Sequence, residues 1–190
     1  MDRHALICRT ILESPGITQR ELAQKLNLSL GGINGLIKEC LAKGQITFSQ
    51  EGSYDVTEQG KEFLEQFRVD GALIIAAGFG SRFVPLTFET PKGLLKVFGE
   101  RMIERQIKQL HEVGIYNITI VVGYLKEKFE YLIDKYGVSL LYNREYASKN
   151  TLTTLYHARK VLMGKNMYLL PSDNWLKENM FHTYECGSWY

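Results

Sequence analysis

The sequence predicts a mainly parallel, three-layer α/β domain of Rossmann-like order, preceded by a small domain of short helices and a hairpin. Three observations carry that prediction. A continuous apolar run, Ala72 to Ala77, has the composition of a strand buried on both faces of a sheet. Segments of strand character then alternate with segments of helical periodicity from Met102 to Leu170. Residues 1–69 read differently, as short helical repeats interrupted by turn residues. A chain of 190 residues, 45% hydrophobic and 23% charged, is long enough for two such domains and is not a disordered or low-complexity protein.

The first domain, residues 1–69, builds element by element. Ala5, Leu6, Cys8, Ile11 and Leu12 recur at helical spacing, and Ser14-Pro15-Gly16 ends that helix. Thr18 and Glu21 stand at capping-box spacing before a second helix whose apolar face is Leu22, Ala23 and Leu26. After Asn27-Leu28-Ser29 a third helix is expected over 30–43, with Ile33, Leu36, Ile37 and Leu41 inward and Gly44 closing it. Two strands follow, 45–48 and 53–56, joined around Glu51-Gly52, and Thr57 caps a last helix reaching Phe67.

This order, carried by ITQRELAQKLNLSLGGINGLIKECLAKGQI, resembles the winged helix-turn-helix family. The resemblance implies that the third helix enters the major groove of DNA and that the hairpin is the wing. The outward positions on that helix are Ser29, Gly31, Gly32, Asn34 and Lys38. Residues 1–69 carry 8 Lys and Arg against 9 Asp and Glu, little charge with which to neutralise phosphates. Two roles stay open: a DNA-binding module, or a dimerisation and docking unit that makes a homodimer.

Cys8, Cys40 and Cys186 are widely spaced and form no CxxC, which points to neither a disulfide framework nor a zinc site. His4, His111, His157 and His182 are scattered and none is singled out. The longest apolar run is far short of the roughly 20 residues that cross a bilayer, and the N-terminus lacks the apolar core of a signal peptide. A cytoplasmic protein with no membrane partner is expected.

The second domain, residues 70–190, opens on the strand 71–77. It continues as helix 102–113, strand 117–122, helix 125–136, strand 138–142, helix 152–162 and strand 167–170. Directly after the first strand comes Gly78-Phe79-Gly80-Ser81-Arg82. Glycines there let successive backbone N–H groups turn to one side as an anion cradle, and Arg82 adds a planar cation suited to phosphate. Phe83 stands where a dinucleotide fingerprint places its third glycine, and the Gly-Lys-Ser/Thr ending of a Walker loop is absent.

The run AAGFGSRFVPLTFETPKGLLKV instead closely resembles the signature AAGxGxRxxPxTxxxPK of the nucleotidyltransferases that activate sugars and alcohol phosphates. Ala76, Ala77, Gly78, Gly80, Arg82, Pro85, Thr87, Pro91 and Lys92 all fall on it. The resemblance implies that a phosphate monoester attacks the α-phosphorus of a nucleoside triphosphate and expels pyrophosphate, chemistry governed by positioning and charge. Ala76 to Arg82, Phe79 and Ser81 included, are the expected nucleotide-binding residues, and Arg82 and Lys92 the catalytic cations. The resemblance also implies that Asp173, at the carboxyl end of the last strand, is the Mg²⁺ ligand and a nucleotide contact, since the carboxylate at this place binds Mg²⁺ in the family; such an ion takes one or two carboxylates plus phosphate oxygens and water. The stretch facing the base in relatives supplies Asn143 and Asn150 as base or ribose contacts.

Further segments, GYLKEKFEYLIDKYGVSLLYNREYASKNTLTTLY and SDNWLKENMF, resemble the bacterial choline-phosphate cytidylyltransferases. The Gln-Pro-x-Gly segment of sugar-activating relatives is missing from 143–152. The resemblance implies an Mg-dependent transfer of CMP from CTP to phosphocholine, or to another phosphate monoester, giving CDP-choline. Trp175, Tyr184, Trp189 and Tyr190 are candidates either for the faces that meet a quaternary ammonium or for core positions. Two other readings remain: a sugar-1-phosphate nucleotidyltransferase using UTP or dTTP, and a winged-helix transcriptional regulator that senses a nucleotide. Complete domains of the resembled type run to about twice the matched length. The chain is therefore expected to be a truncated form that lacks the second metal aspartate and is inactive alone.

Overall fold

The computed structural model describes residues 1–49, 52–146 and 151–189. The chain divides into two compact units. One is Met1–Arg68 joined by the segment from Tyr184 onward, and the other is Val69–Thr183. The sequence expectation had placed the whole of 70–190 in the second domain.

In the first unit, helices α1 (Arg3–Glu13), α2 (Gln19–Lys25) and α3 (Leu30–Ala42) precede the strands β1 (Ile46–Phe48) and β2 (Tyr54–Val56) and helix α4 (Glu58–Glu65). Each helix starts where a short polar side chain accepts a backbone N–H: Asp2, Thr18, Ser29 and Thr57. The expected capping box forms in full, since the Glu21 carboxylate also accepts Thr18 N–H at 2.8 Å. Ile7, Cys8, Ile11, Leu22, Ile33, Ile37 and Leu64 make the core. Cys40 fills the inward position on α3, whereas Leu41, expected inward, is 37% exposed because the helix phase carries it past the core.

The core of this unit is completed from the far end of the sequence. Tyr184 and Cys186 are buried in the same cluster. Asp2 N–H donates to Cys186 O at 2.8 Å, and Glu185 N–H to Phe67 O at 2.8 Å. Arg9 reaches both the Tyr184 carbonyl and the Glu185 carboxylate.

The second unit is a four-stranded parallel sheet in the order β7–β6–β3–β8. Its strands are β3 (Gly71–Ala76), β6 (Ile118–Val122), β7 (Ser139–Tyr142) and β8 (Met167–Pro171). A small antiparallel pair, β4 (Lys96–Val97) and β5 (Glu100–Arg101), leads into helix α5 (Met102–Glu112). Helices α6 (Tyr131–Tyr136), α7 (Thr151–His157) and α8 (Arg159–Leu162) complete the unit.

Strand alternation sorts the side chains into two layers. Ala72, Ile74, Ile118, Ile120 and Val122 pack with Ile103, Ile107, Leu110 and Leu132 on one face. Leu73 and Val121 pack with Ala158, Leu155 and Leu162 on the other. Helices thus cover both faces, the three-layer arrangement the buried apolar strand called for.

Two expected helices need correction, and one element was not foreseen. The helix expected over 125–136 begins as a tight 3-10 turn, Lys126–Phe129, because Leu125 lies in the left-handed region at φ 49° and α6 starts only at Tyr131. The helix expected over 152–162 is two segments, because Val161 N–H closes a three-residue turn onto Ala158 O between them. The β4–β5 hairpin was not anticipated, since two-residue strands are too short for a periodic signal.

Candidate active site

The site is fixed by topology. The chain runs outward from β3 to β6 and β7, then crosses back to β8 on the other side of β3. The direction of winding therefore reverses between β3 and β8, and the carboxyl ends of these two strands flank the crevice where open α/β sheets gather ligands. The glycine loop leaves β3 at that point, and Ser172-Asp173 leaves β8.

Gly80 sits at φ 66°, ψ 29°, a left-handed conformation that reverses the chain into the 3-10 turn Ser81–Phe83. A Cβ there would also approach Thr87 Cγ2 to 2.9 Å, so turn and packing both call for glycine. Thr87, 1% exposed, donates from Oγ1 to the Gly80 carbonyl at 2.9 Å and ties the two ends of the loop together. Ala76 and Ala77 are buried at the end of β3, while Gly78, Phe79, Ser81 and Arg82 are exposed. The Phe79 ring leans on Tyr124 and Tyr146, each 5.2 Å away between centroids. Arg82 has no hydrogen bond or ion pair among the described residues, and its guanidinium is available to a ligand.

Lys92 returns to this loop on a second 3-10 turn, Lys92–Leu94, that follows Pro91. Its Nζ forms an ion pair with Asp173 Oδ2 and lies 4.4 Å from the centre of the Phe83 ring. Both charged side chains are about a quarter exposed, 23% and 27%, so the pair lies at the mouth of the crevice.

Two residues that the sequence reading passed over hold the pair in place. Gly93 lets the turn press against the segment leaving β8, since a Cβ there would stand 2.7 Å from Ser172 Cβ and 3.0 Å from Ser172 O. Gln106, 1% exposed, donates to Pro171 O and Asn174 O, both at 2.9 Å, clamping the loop on either side of Asp173. Gln106 was legible as a polar residue on the apolar stripe of α5 formed by Ile103, Ile107 and Leu110. The contact of Gly93 is long-range and leaves no local signal.

The structure does not bring Asn143 into the crevice. It is fully buried, its amide donates to Thr154 Oγ1 at 2.9 Å, and its Oδ1 accepts Glu145 N–H at 2.9 Å. Its side chain thus links the end of β7 to α7 and has no atom left at the surface. Asn150 lies outside the described residues. Of the aromatic candidates, Tyr184 is a core residue of the first unit, Trp189 is exposed there and bonds Glu185, and Trp175 stacks under the Arg105 guanidinium at 4.6 Å. Tyr190 lies outside the described residues.

A parallel sheet whose glycine turn meets a lysine–aspartate pair at the switch point is the frame that α/β domains use for phosphate ligands. The chain belongs to the nucleotidyl transferase family, whose model matches residues 71–185. Residues 5–47 match the model of winged helix-turn-helix DNA-binding domains.

The choline-phosphate cytidylyltransferase of Streptococcus pneumoniae is 48% identical over 110 residues, which are 58% of this chain and 47% of that protein. The 2-aminoethylphosphonate cytidylyltransferase of Lancefieldella rimae is 45% identical over 103 residues, 54% of this chain and 42% of that one. A solved structure of the Streptococcus pneumoniae CTP:phosphocholine cytidylyltransferase superposes with a TM-score of 0.58 at 48% identity, covering 61% of this chain and 50% of that one. The chain spans about half the length of the curated relatives it matches.

Proposed function

We propose that the second unit takes part in transferring CMP from CTP to phosphocholine, with release of pyrophosphate. The observation that carries this reading is the Lys92–Asp173 pair beside the glycine loop at the switch point between β3 and β8. Similarity to two cytidylyltransferases supports CTP as donor, and the higher identity to the choline-phosphate enzyme supports phosphocholine as acceptor.

In this reading the exposed amides from Gly78 to Arg82 and the unpaired Arg82 guanidinium bind the triphosphate. A phosphate oxygen of the acceptor attacks the α-phosphorus as the bond to the leaving pyrophosphate breaks. Lys92 spreads the charge that develops on the phosphate oxygens. Thr87 holds the glycine loop in shape and Gln106 the loop that carries Asp173, so the binding groups are set before the ligands arrive.

Mg²⁺ fits the donors present. Asp173 offers one carboxylate whose Oδ1 has no partner among the described residues. No group of three or more His, Cys, Asp or Glu among the described residues would hold a metal alone. That set suits an ion that completes its shell with phosphate oxygens and water. When bound, the ion supplies positive charge to the triphosphate.

The discriminating experiment measures CTP, UTP and dTTP binding by calorimetry and pyrophosphate release with phosphocholine, 2-aminoethylphosphonate and glucose 1-phosphate. Preference for CTP, and release with phosphocholine above the others, are the expected results. Preference for UTP or dTTP, with release on glucose 1-phosphate, would support the sugar-activating reading instead. For the first unit, the exposed Asn34 and Lys38 on α3 support contact with DNA. Binding that weakens as salt rises is the expected signature, and its absence at low ionic strength would leave the unit a docking role.

A further inference from the structure

We propose that the back of the Lys92 turn forms a second anion-binding groove, separate from the crevice, that takes a small soluble phosphorylated molecule. The groove has a volume of about 430 Å³ and is lined by Pro91, Leu94, Leu95 and Tyr131, with Lys96, Arg101 and Lys128 around them. Against those three cations the lining contains one carboxylate, Glu89.

The cations are available. Lys96 and Lys128 are exposed and make no ion pair or hydrogen bond among the described residues. Arg101 spends one nitrogen, Nη1, on Glu104 at 3.0 Å and the Tyr131 hydroxyl at 3.2 Å, which fixes the guanidinium without exhausting its donors. Glu104 adds little negative field to the groove. It is 6% exposed and is covered by Lys135, Tyr131 and Tyr136 as well as Arg101. Helix α5 begins at this wall with Arg101 as its N-cap and no side chain capping its first amides, so its dipole adds to the same sign of charge.

Charge complementarity therefore selects an anion, and apolar walls beside one fixed guanidinium and two lysines unpaired among the described residues fit a phosphate ester carrying a small organic group. Pro91 and Leu94 belong to the same turn as Lys92, so the ligand would rest against the segment that presents Lys92 to Asp173.

The test titrates the full chain with glycerol 2-phosphate and follows amide shifts of 89–96, comparing wild type with K96E/K128E and with K92A. Shifts that persist in K92A, with affinity about tenfold weaker or worse per reversed cation in K96E/K128E, are the expected result. Circular dichroism of K96E/K128E checks that it folds, and the single variants K96A and K128A repeat the comparison if it does not. Shifts abolished by K92A and untouched by K96E/K128E would assign the anion to the crevice and overturn the proposal. Binding to phosphatidylglycerol vesicles without response to the soluble ester would overturn it in favour of a lipid headgroup.

Discussion

The two units reveal their roles through opposite kinds of residue. In the first unit the informative residues are structural: four N-caps, a capping box and an inward stripe specify the fold. The exposed face of α3, with Gly31, Gly32 and Asn34, names no ligand. In the second unit the informative residues are exposed or half-exposed and chemical: Gly78, Arg82, Lys92 and Asp173. Local regularity identifies a scaffold, whereas irregular backbone held by buried polar clamps identifies a site.

The comparison breaks most visibly where the first unit depends on residues distant in sequence. Tyr184 is buried in its core, and its hydroxyl bonds Glu65 and Arg68. Tyr184→Ala is expected to destabilise this unit by about 3 kcal/mol through the cavity and lost packing. Hydrogen exchange of α1 and α4 would show it. Unchanged protection there, with loss confined to the sheet of the second unit, would move the segment to the other side of the comparison.

A smaller effect sharpens the second unit's side. Burial alone would raise the Glu104 carboxyl, but hydrogen bonds from Lys135, Tyr131, Tyr136 and Arg101 prevail and hold it down to about 2. A carboxyl with a depressed pKa stabilises the fold above its unfolded value, and that stability is lost as pH falls towards the folded value. The unit should therefore weaken between roughly pH 4.5 and pH 2. Glu104→Ala should cost about 2 kcal/mol at neutral pH and flatten that part of the acid profile, as measured by urea denaturation at several pH values.

The smallest effect returns to the first unit. Thr18→Ala removes one half of the capping box and should cost about 1 kcal/mol, read as a lower melting temperature with α2 otherwise intact.

Much of this was legible in the sequence. Thr18 and Glu21 pair within one helical turn, and the alternation of strands and helices sets the parallel sheet, so both follow from local spacing. The glycine loop, Lys92 and Asp173 were singled out by their resemblance to a nucleotidyltransferase signature, and the structure brings them together at the carboxyl ends of β3 and β8. What escaped was partly local, in helix phase and polar capping, and partly long-range. Cys40 displaced Leu41 by the phase of α3, Asn143 was consumed by Thr154 and Glu145, and residues 184–186 joined a core more than a hundred positions away. Gly93 and Gln106 matter through β8, a partner that spacing cannot identify.

The most direct test of the central claim is CTP binding to the wild-type chain and to Lys92→Ala, each titrated calorimetrically with Mg²⁺ present. Loss of one charge-assisted phosphate contact should weaken binding by about tenfold or more in Lys92→Ala. Equal affinity in the two proteins would contradict the assignment of the Lys92–Asp173 crevice as the triphosphate site.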